Sequence, residues 1–133
     1  MAAEGMEIGS HSVSHPDLTT LDDAALREEL VRSRESLSAL TGGPIRGFAH
    51  PFGRYDERVV RRVREAGYEY ACTCRQHRAN HPDIDPYRLN RVEINQGDGH
   101  RRFEGKVKGR YAGVYAAWYR LNPATRAWLA DEP

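Results

Sequence analysis

Cysteine, lysine and long apolar runs are what this chain has least of. Two of its 133 residues are cysteine, Cys72 and Cys74. They lie one residue apart, too close for an ordinary bridge, so there is no disulfide framework and the thiols do not report a redox compartment. Lysine occurs twice, at Lys106 and Lys108, against 18 arginines. That skew is read as genome composition, not as recognition. Net charge is +1, from 20 basic and 19 acidic residues, so no global field points to nucleic acid or to an acidic surface. No stretch approaches the roughly 18 apolar residues of a membrane-spanning helix. The opening Met-Ala-Ala-Glu-Gly-Met-Glu lacks the basic start and apolar centre of a signal peptide. It resembles the last turn of a helix stopped at Gly5, and such a start is expected of a chain that is N-terminally truncated. Nothing in the sequence specifies an oligomeric state.

What is present is one domain's worth of chain, with a modest apolar fraction of 39%. Met6–His11 reads as a short strand with His11 at its C-terminal end, followed by a polar loop over 12–20. Leu21–Leu40 is the clearest helix. Asp22 caps it, Leu21 and Leu26 staple the cap, and Gly42-Gly43-Pro44 stops it. Leu26, Leu30, Ser33, Leu37 and Leu40 fall on one face at helical spacing. Ile45–Phe52 reads as a second strand. Asp56 caps a second helix over 57–66, with Val59, Val60 and Val63 inward and Gly67 as the stop. Tyr68–Cys74 and Arg88–Ile94 read as a third and a fourth strand on either side of a polar loop. A turn at Gln96-Gly97-Asp98-Gly99 leads into one helix over His100–Leu121, and Pro123 starts a last short helix. Strands alternating with helices across short connections predict an α/β fold with a parallel sheet.

The chemistry concentrates in Glu7-Ile8-Gly9-Ser10-His11-Ser12-Val13-Ser14-His15-Pro16. Two histidines four apart, at a strand's C-terminal end, can supply two ligands of a three-ligand catalytic metal site. Spacing alone is equally met by two surface histidines near a cap.

With their flanks, these residues resemble the polysaccharide deacetylases with the NodB-homology domain, carbohydrate esterase family four. His11-Ser12-Val13-Ser14-His15 matches that family's His-Ser/Thr-x-x-His motif. Glu7-Ile8-Gly9-Ser10 before it and Pro16-Asp17-Leu18 after it match as well. Pro51-Phe52-Gly53 matches the proline-aromatic-glycine end of a later motif, and Ala66-Gly67-Tyr68-Glu69-Tyr70-Ala71 matches the strand beyond. The resemblance covers residues 5–95, with C-terminal helices over 100–130 matching loosely, in a single partial domain. It implies a distorted (β/α) barrel of the glycoside hydrolase and deacetylase type, with its first strands missing here. It implies a hydrolase that removes N-acetyl groups from a polysaccharide or N-acetylhexosamine glycan. It also implies a divalent metal, commonly zinc, held by His11, His15 and an aspartate, with Pro51, Phe52 and Gly53 at the substrate. Members are often extracytoplasmic.

The departures matter as much. The family's Thr-Phe-Asp-Asp motif, which carries the base and the third ligand, has no counterpart in the ten residues before His11. Ala49 stands where the family often has an arginine, and His50 sits beside the proline, where it is expected mainly to fill space. The late Leu-x-His motif with the acid is absent. His50 and His100 are the remaining candidates for a catalytic histidine, and Asp17 for a third ligand, although Asp17 more readily shapes the turn after Pro16. The chain as it stands is therefore expected to be inactive or weak. The alternative is a non-catalytic carbohydrate-binding or interaction remnant of that fold.

Two further features compete for attention. Cys72, Cys74, His77 and His81 are four zinc-type ligands within ten residues, but the cysteines are closer together than structural zinc sites prefer. On a strand they share a face and suit a core. Arg101–Arg120 is basic and aromatic. It reads as the closing helix of the domain, aromatics inward and charges outward, more readily than as a membrane surface. A small-residue stripe at Gly105, Gly109, Gly113 and Ala117 suggests close backbone packing.

Overall fold

A computed structural model describes residues 4–74 and 80–121. The last short helix expected from Pro123, and His77 with the first part of the loop after Cys74, lie outside the described residues. The chain divides into two compact units. The first holds residues 1–74 and 82–89, and the second holds 75–81 and 90–133.

In the first unit, a parallel sheet is built from two short strands, β1 (Gly47–Ala49) and β2 (Tyr70–Cys72), in register Phe48 to Ala71. Single parallel bridges extend it on both sides, from Ser10 to Phe48 and from Cys72 to Leu89. The four extended segments thus lie side by side in chain order. The expected parallel α/β arrangement is present, but the strands are shorter than their patterns suggested. Met6–His11 contributes one bridge, not a strand. Arg88–Ile94 contributes only Leu89, whose N–H donates to Ala71 O and whose carbonyl accepts from Thr73 N. Beyond it, Val92 and Ile94 are exposed.

Helix α1 (Asp23–Thr41) starts where Asp22 caps it, its carboxylate accepting from Ala25 N, and stops at Gly42 in the left-handed conformation. Helix α2 (Glu57–Glu65) starts at Asp56, whose carboxylate accepts from Val59 N. These short acceptors satisfy amide donors that the first helical turn leaves open, so both starts were readable from sequence. Leu26, Leu30, Val59 and Val63 join Leu18, Ile45, Phe48, Tyr68 and Ala71 in one buried cluster. Leu40 does not follow its heptad neighbours and is 82% exposed, because it lies in the last turn of α1, past the end of that cluster. A polar knot crosses the core. Ser10 Oγ donates to Ser33 Oγ, and Tyr68 OH donates to Leu30 O. Burial pushes the Tyr68 hydroxyl up, against the opposing effect of its hydrogen bonds to Ser10 and Ser33. Gly47 is a position only glycine fills without displacement, since a Cβ there would sit 2.4 Å from the Tyr70 hydroxyl oxygen.

In the second unit, the expected single helix is two, α3 (His100–Val107) and α4 (Ala112–Leu121). Gly109 adopts φ +69° between them, which ends α3 rather than continuing it. The small-residue stripe is therefore broken. A Cβ on Gly105 would meet the Tyr111 ring at 2.5 Å, whereas Gly113 faces open space. Arg101, Arg102, Lys108 and Arg110 face outward as expected, but two aromatics and one lysine depart from the expected pattern. Phe103 in α3 and Trp118 in α4 are exposed, while Lys106 is buried, its ammonium donating to Asp98 and to Glu93 O. Asp98 closes the preceding turn by accepting from Asn95 N. No described helix is long and apolar enough to cross a membrane.

Two outcomes follow from this packing. Leu30→Ala should cost about 2–5 kcal/mol in urea-denaturation stability, whereas Leu40→Ala should stay within about 0.5 kcal/mol. Asp23 bridges α1 to α2 by accepting from Arg58 and Arg62, and those bonds hold its carboxyl below the ordinary 3.8. A depressed folded-state pKa gives stability that is complete above the ordinary value and is lost as pH falls through the folded value. The stability gap between the natural chain and Asp23→Asn should be level from neutral pH down to about 5, then close on further acidification.

Candidate metal and substrate site

The site begins with the bridge at Ser10. Its N–H donates to Gly47 O at 2.9 Å, and its carbonyl accepts from Ala49 N at 2.8 Å. That pairing sets His11 at the edge of the sheet, beside the end of β1. The His11 ring then closes on the strand, Nδ1–H donating to Ala49 O at 2.7 Å. A carbonyl only accepts, so Nδ1 carries the hydrogen in this contact, and Nε2 of the neutral ring keeps its lone pair. A backbone partner that fixes tautomer and ring orientation in this way is what metal-ligating histidines generally have.

His15 is brought to His11 by a tight reversal. Ser12 and His15 both have left-handed backbones, φ 68° and 58°, and His15 N donates to Ser12 Oγ at 3.0 Å. The two imidazoles meet edge to face with centroids 4.7 Å apart. On its other side the His15 ring meets Phe52 at 4.5 Å. Phe52 is the third non-glycine residue with a left-handed backbone among those described, at φ 57°. Each such residue costs about 1–2 kcal/mol relative to its relaxed conformation, so the three left-handed residues flank a site the rest of the structure has to hold in place.

Two polar contacts do the holding. Glu29, on α1, accepts from Val13 N at 2.7 Å, Ser14 N at 2.9 Å and Ser14 Oγ at 2.6 Å. Burial alone would raise its carboxyl, but the hydrogen bonds from Ser14, Val13 and Ser12 hold it below its ordinary value. Asp17 caps the turn over Leu18–Thr20 by accepting from Thr19, and takes a 2.6 Å ion pair from Arg54. That pair joins the histidine loop to the Pro51–Gly53 turn. Burial opposes ionisation of Asp17 too, but Thr19 and Arg54 outweigh it and lower its pKa. Neither contact was evident in the sequence. Glu29 lies 15 and 16 residues from Ser14 and Val13 on a helix whose polar positions look solvated, and Arg54 lies 37 from Asp17.

The other expected residues fall as follows. Pro51 is buried at the start of its turn, and Phe52 is half exposed. Gly53 has φ +67°, and a Cβ there would lie 2.9 Å from Cys74 Cβ. His50 is fully buried between Phe48 and Tyr55, with Nε2–H donating to Tyr87 O at 3.1 Å. His100 is the exposed first residue of α3 in the second unit. Glu7 accepts from the Tyr70 hydroxyl at 2.8 Å, and burial together with that carboxylate pushes the phenol up to about 12. Cys72 and Cys74 are half-buried. Among the described residues, no cluster of three or more histidine, cysteine, aspartate or glutamate side chains is arranged to hold a metal.

The parallel sheet thus sets the two histidines side by side at one strand end, and comparison with known proteins assigns the chain at the level of family. The polysaccharide deacetylase family model matches residues 1–71, more than half of the chain, including both histidines and the Pro51–Gly53 turn. The chain belongs to the polysaccharide deacetylase family. It is 34% identical over 70 residues to the peptidoglycan N-acetylmuramic acid deacetylase of Bacillus subtilis, covering 52% of this chain and 27% of that one. A 61-residue stretch is 46% identical to part of a gellan lyase from a Bacillus species, covering 45% of this chain and 2% of that one. The crystal structure of a polysaccharide deacetylase from Bacillus cereus superposes with a TM-score of 0.65 at 26% identity, over 80% of this chain and 34% of that one. The chain spans about a third or less of the length of these relatives.

Gly53→Ala should destabilise by at least about 1 kcal/mol, from its left-handed backbone and the contact with Cys74. Gly43→Ala, with open space around it, should be near neutral. Urea titration of both variants checks the contrast.

Proposed function

We propose that this chain carries the histidine part of a divalent-metal site, zinc in the first instance, in a hydrolase that removes N-acetyl groups from a polysaccharide. The observation that carries the reading is the His11 ring, held through Nδ1–H on Ala49 O with its other nitrogen left as a donor, beside His15 at 4.7 Å. When bound, such a metal supplies Lewis acidity that polarises an amide carbonyl and makes a coordinated water more acidic. His11 and His15 would hold it. Phe52, half exposed against His15, offers an apolar face suited to a sugar ring or an acetyl methyl, and Pro51 and Gly53 fix that face. Family membership supports the same substrate class.

A catalytic zinc generally takes three protein ligands. In this reading the third ligand, the base and the acid come from sequence outside these 133 residues, which relatives about twice as long have room for. The barrel belongs to the same proposal. Its support is the parallel order of Ser10, β1, β2 and Leu89, each beside its predecessor, with α1 and α2 as the first two crossovers. The missing third ligand among the described residues favours one competing reading, a glycan-binding module of this fold without turnover.

Calorimetric titration of zinc should show one site in the natural chain and at least about tenfold weaker binding in His11→Ala. The chain extended by any in-frame sequence before Met1 should release acetate from peptidoglycan or N-acetylglucosamine oligomers. Glycan binding with neither zinc uptake nor acetate release would replace the hydrolase reading with the binding module.

A further inference from the structure

The loop that carries His15 has no regular secondary structure and contains two left-handed residues, yet it presents its imidazole at a defined distance from His11. Its backbone N–H groups at Val13 and Ser14 point to one side chain, Glu29, which also takes the Ser14 hydroxyl. Glu29 sits one residue before Leu30, a fully buried member of the core, so the carboxylate is tied to the most firmly packed part of α1. We propose that Glu29 is a positioning residue for the metal site: it fixes the 12–15 loop from α1 and thereby sets the affinity of the histidine pair for a divalent cation. This rests on the reading that His11 and His15 bind the metal.

The geometry distinguishes three substitutions. In Glu29→Ala both backbone donors and the Ser14 hydroxyl lose their acceptor, and nothing else described on α1 replaces it. In Glu29→Gln the amide oxygen can accept from Val13 N and Ser14 N, while the amide nitrogen donates to Ser14 Oγ, which can accept. Glutamine therefore keeps the shape of the clamp and gives up its charge. In Glu29→Asp the carboxylate keeps the charge but is one methylene short of the loop.

The experiment is a zinc titration by calorimetry of the natural chain, the three Glu29 variants and His11→Ala. It is paired with amide hydrogen exchange of the metal-free proteins read at Val13, Ser14 and Leu30. Glu29→Ala should bind zinc about 10–100-fold more weakly, the range for partners that orient a ligand. Glu29→Gln should recover most of that loss, and Glu29→Asp little of it. Protection at Val13 and Ser14 should fall in Glu29→Ala while Leu30 stays protected. A merely structural role would lower Leu30 protection and leave the zinc affinity of the folded protein unchanged. Unchanged affinity in Glu29→Ala, with His11→Ala defective, would overturn the positioning role while leaving the metal reading standing. No zinc uptake by the natural chain would remove the metal reading, and the exchange at Val13 and Ser14 would then decide alone whether Glu29 holds the loop.

Discussion

The site depends on one pair of backbone hydrogen bonds, those that Ser10 exchanges with Gly47 and Ala49. They fix the chain immediately before His11 to the edge of the sheet, and the imidazole then bonds to the same Ala49 whose amide completes the pairing. The register is narrow. A slip of one residue would turn Ser10 away from Ser33 and His11 away from the Ala49 carbonyl, because successive side chains on a strand face opposite sides. The buried hydroxyl chain from Ser10 to Ser33 reinforces this register, since burying an unpartnered hydroxyl is unfavourable by about 1–3 kcal/mol. Gly47 allows the strand beside it to lie close under Tyr70.

From that fixed point the structure spends conformational strain to reverse direction. Ser12 and His15 take left-handed backbones within four residues, and Phe52 does the same on the facing turn. Left to local preference, these segments would relax and the rings would separate. The opposing interactions come from outside the loops: Glu29 from α1 on the amides of Val13 and Ser14, and Arg54 on Asp17. The Glu29 bonds are charge-assisted, which makes them stronger than bonds between neutral groups. Asp17 thus has a structural task, closing the turn after Pro16 and pairing with Arg54.

The helices were legible in the sequence because their ends are local chemistry. Asp22, Asp56 and Gly42 each act within a few residues, and the apolar spacing of Leu26, Leu30, Val59 and Val63 follows the helical turn. The histidine pair was legible for the same reason, being a compact motif with matching flanks. Strand lengths were not, since Arg88–Ile94 has the composition of a strand but pairs only where Leu89 finds Ala71 and Thr73. The break at Gly109 was hidden by the regular recurrence of small residues, which can mark either a packing stripe or a left-handed stop. Lys106 was unreadable as a buried residue, because its burial depends on Asp98 in the preceding turn.

The same distinction explains why Glu29 escaped notice. Its partners lie across a loop, and nothing in the local pattern separates it from Glu28, which faces Arg32 on the surface of α1. Both are glutamates on one helix. The difference is made by the backbone: Glu28 meets a side chain that can swing to water, whereas Glu29 meets amides that the reversal after Ser12 turns toward it and away from any sheet or helix partner. Those amides have no other acceptor in the described contacts, so losing the carboxylate would leave their hydrogen bonding to solvent and free the loop to relax. A side chain that supplies what a strained backbone needs is bound to the site's geometry more tightly than composition or spacing can show.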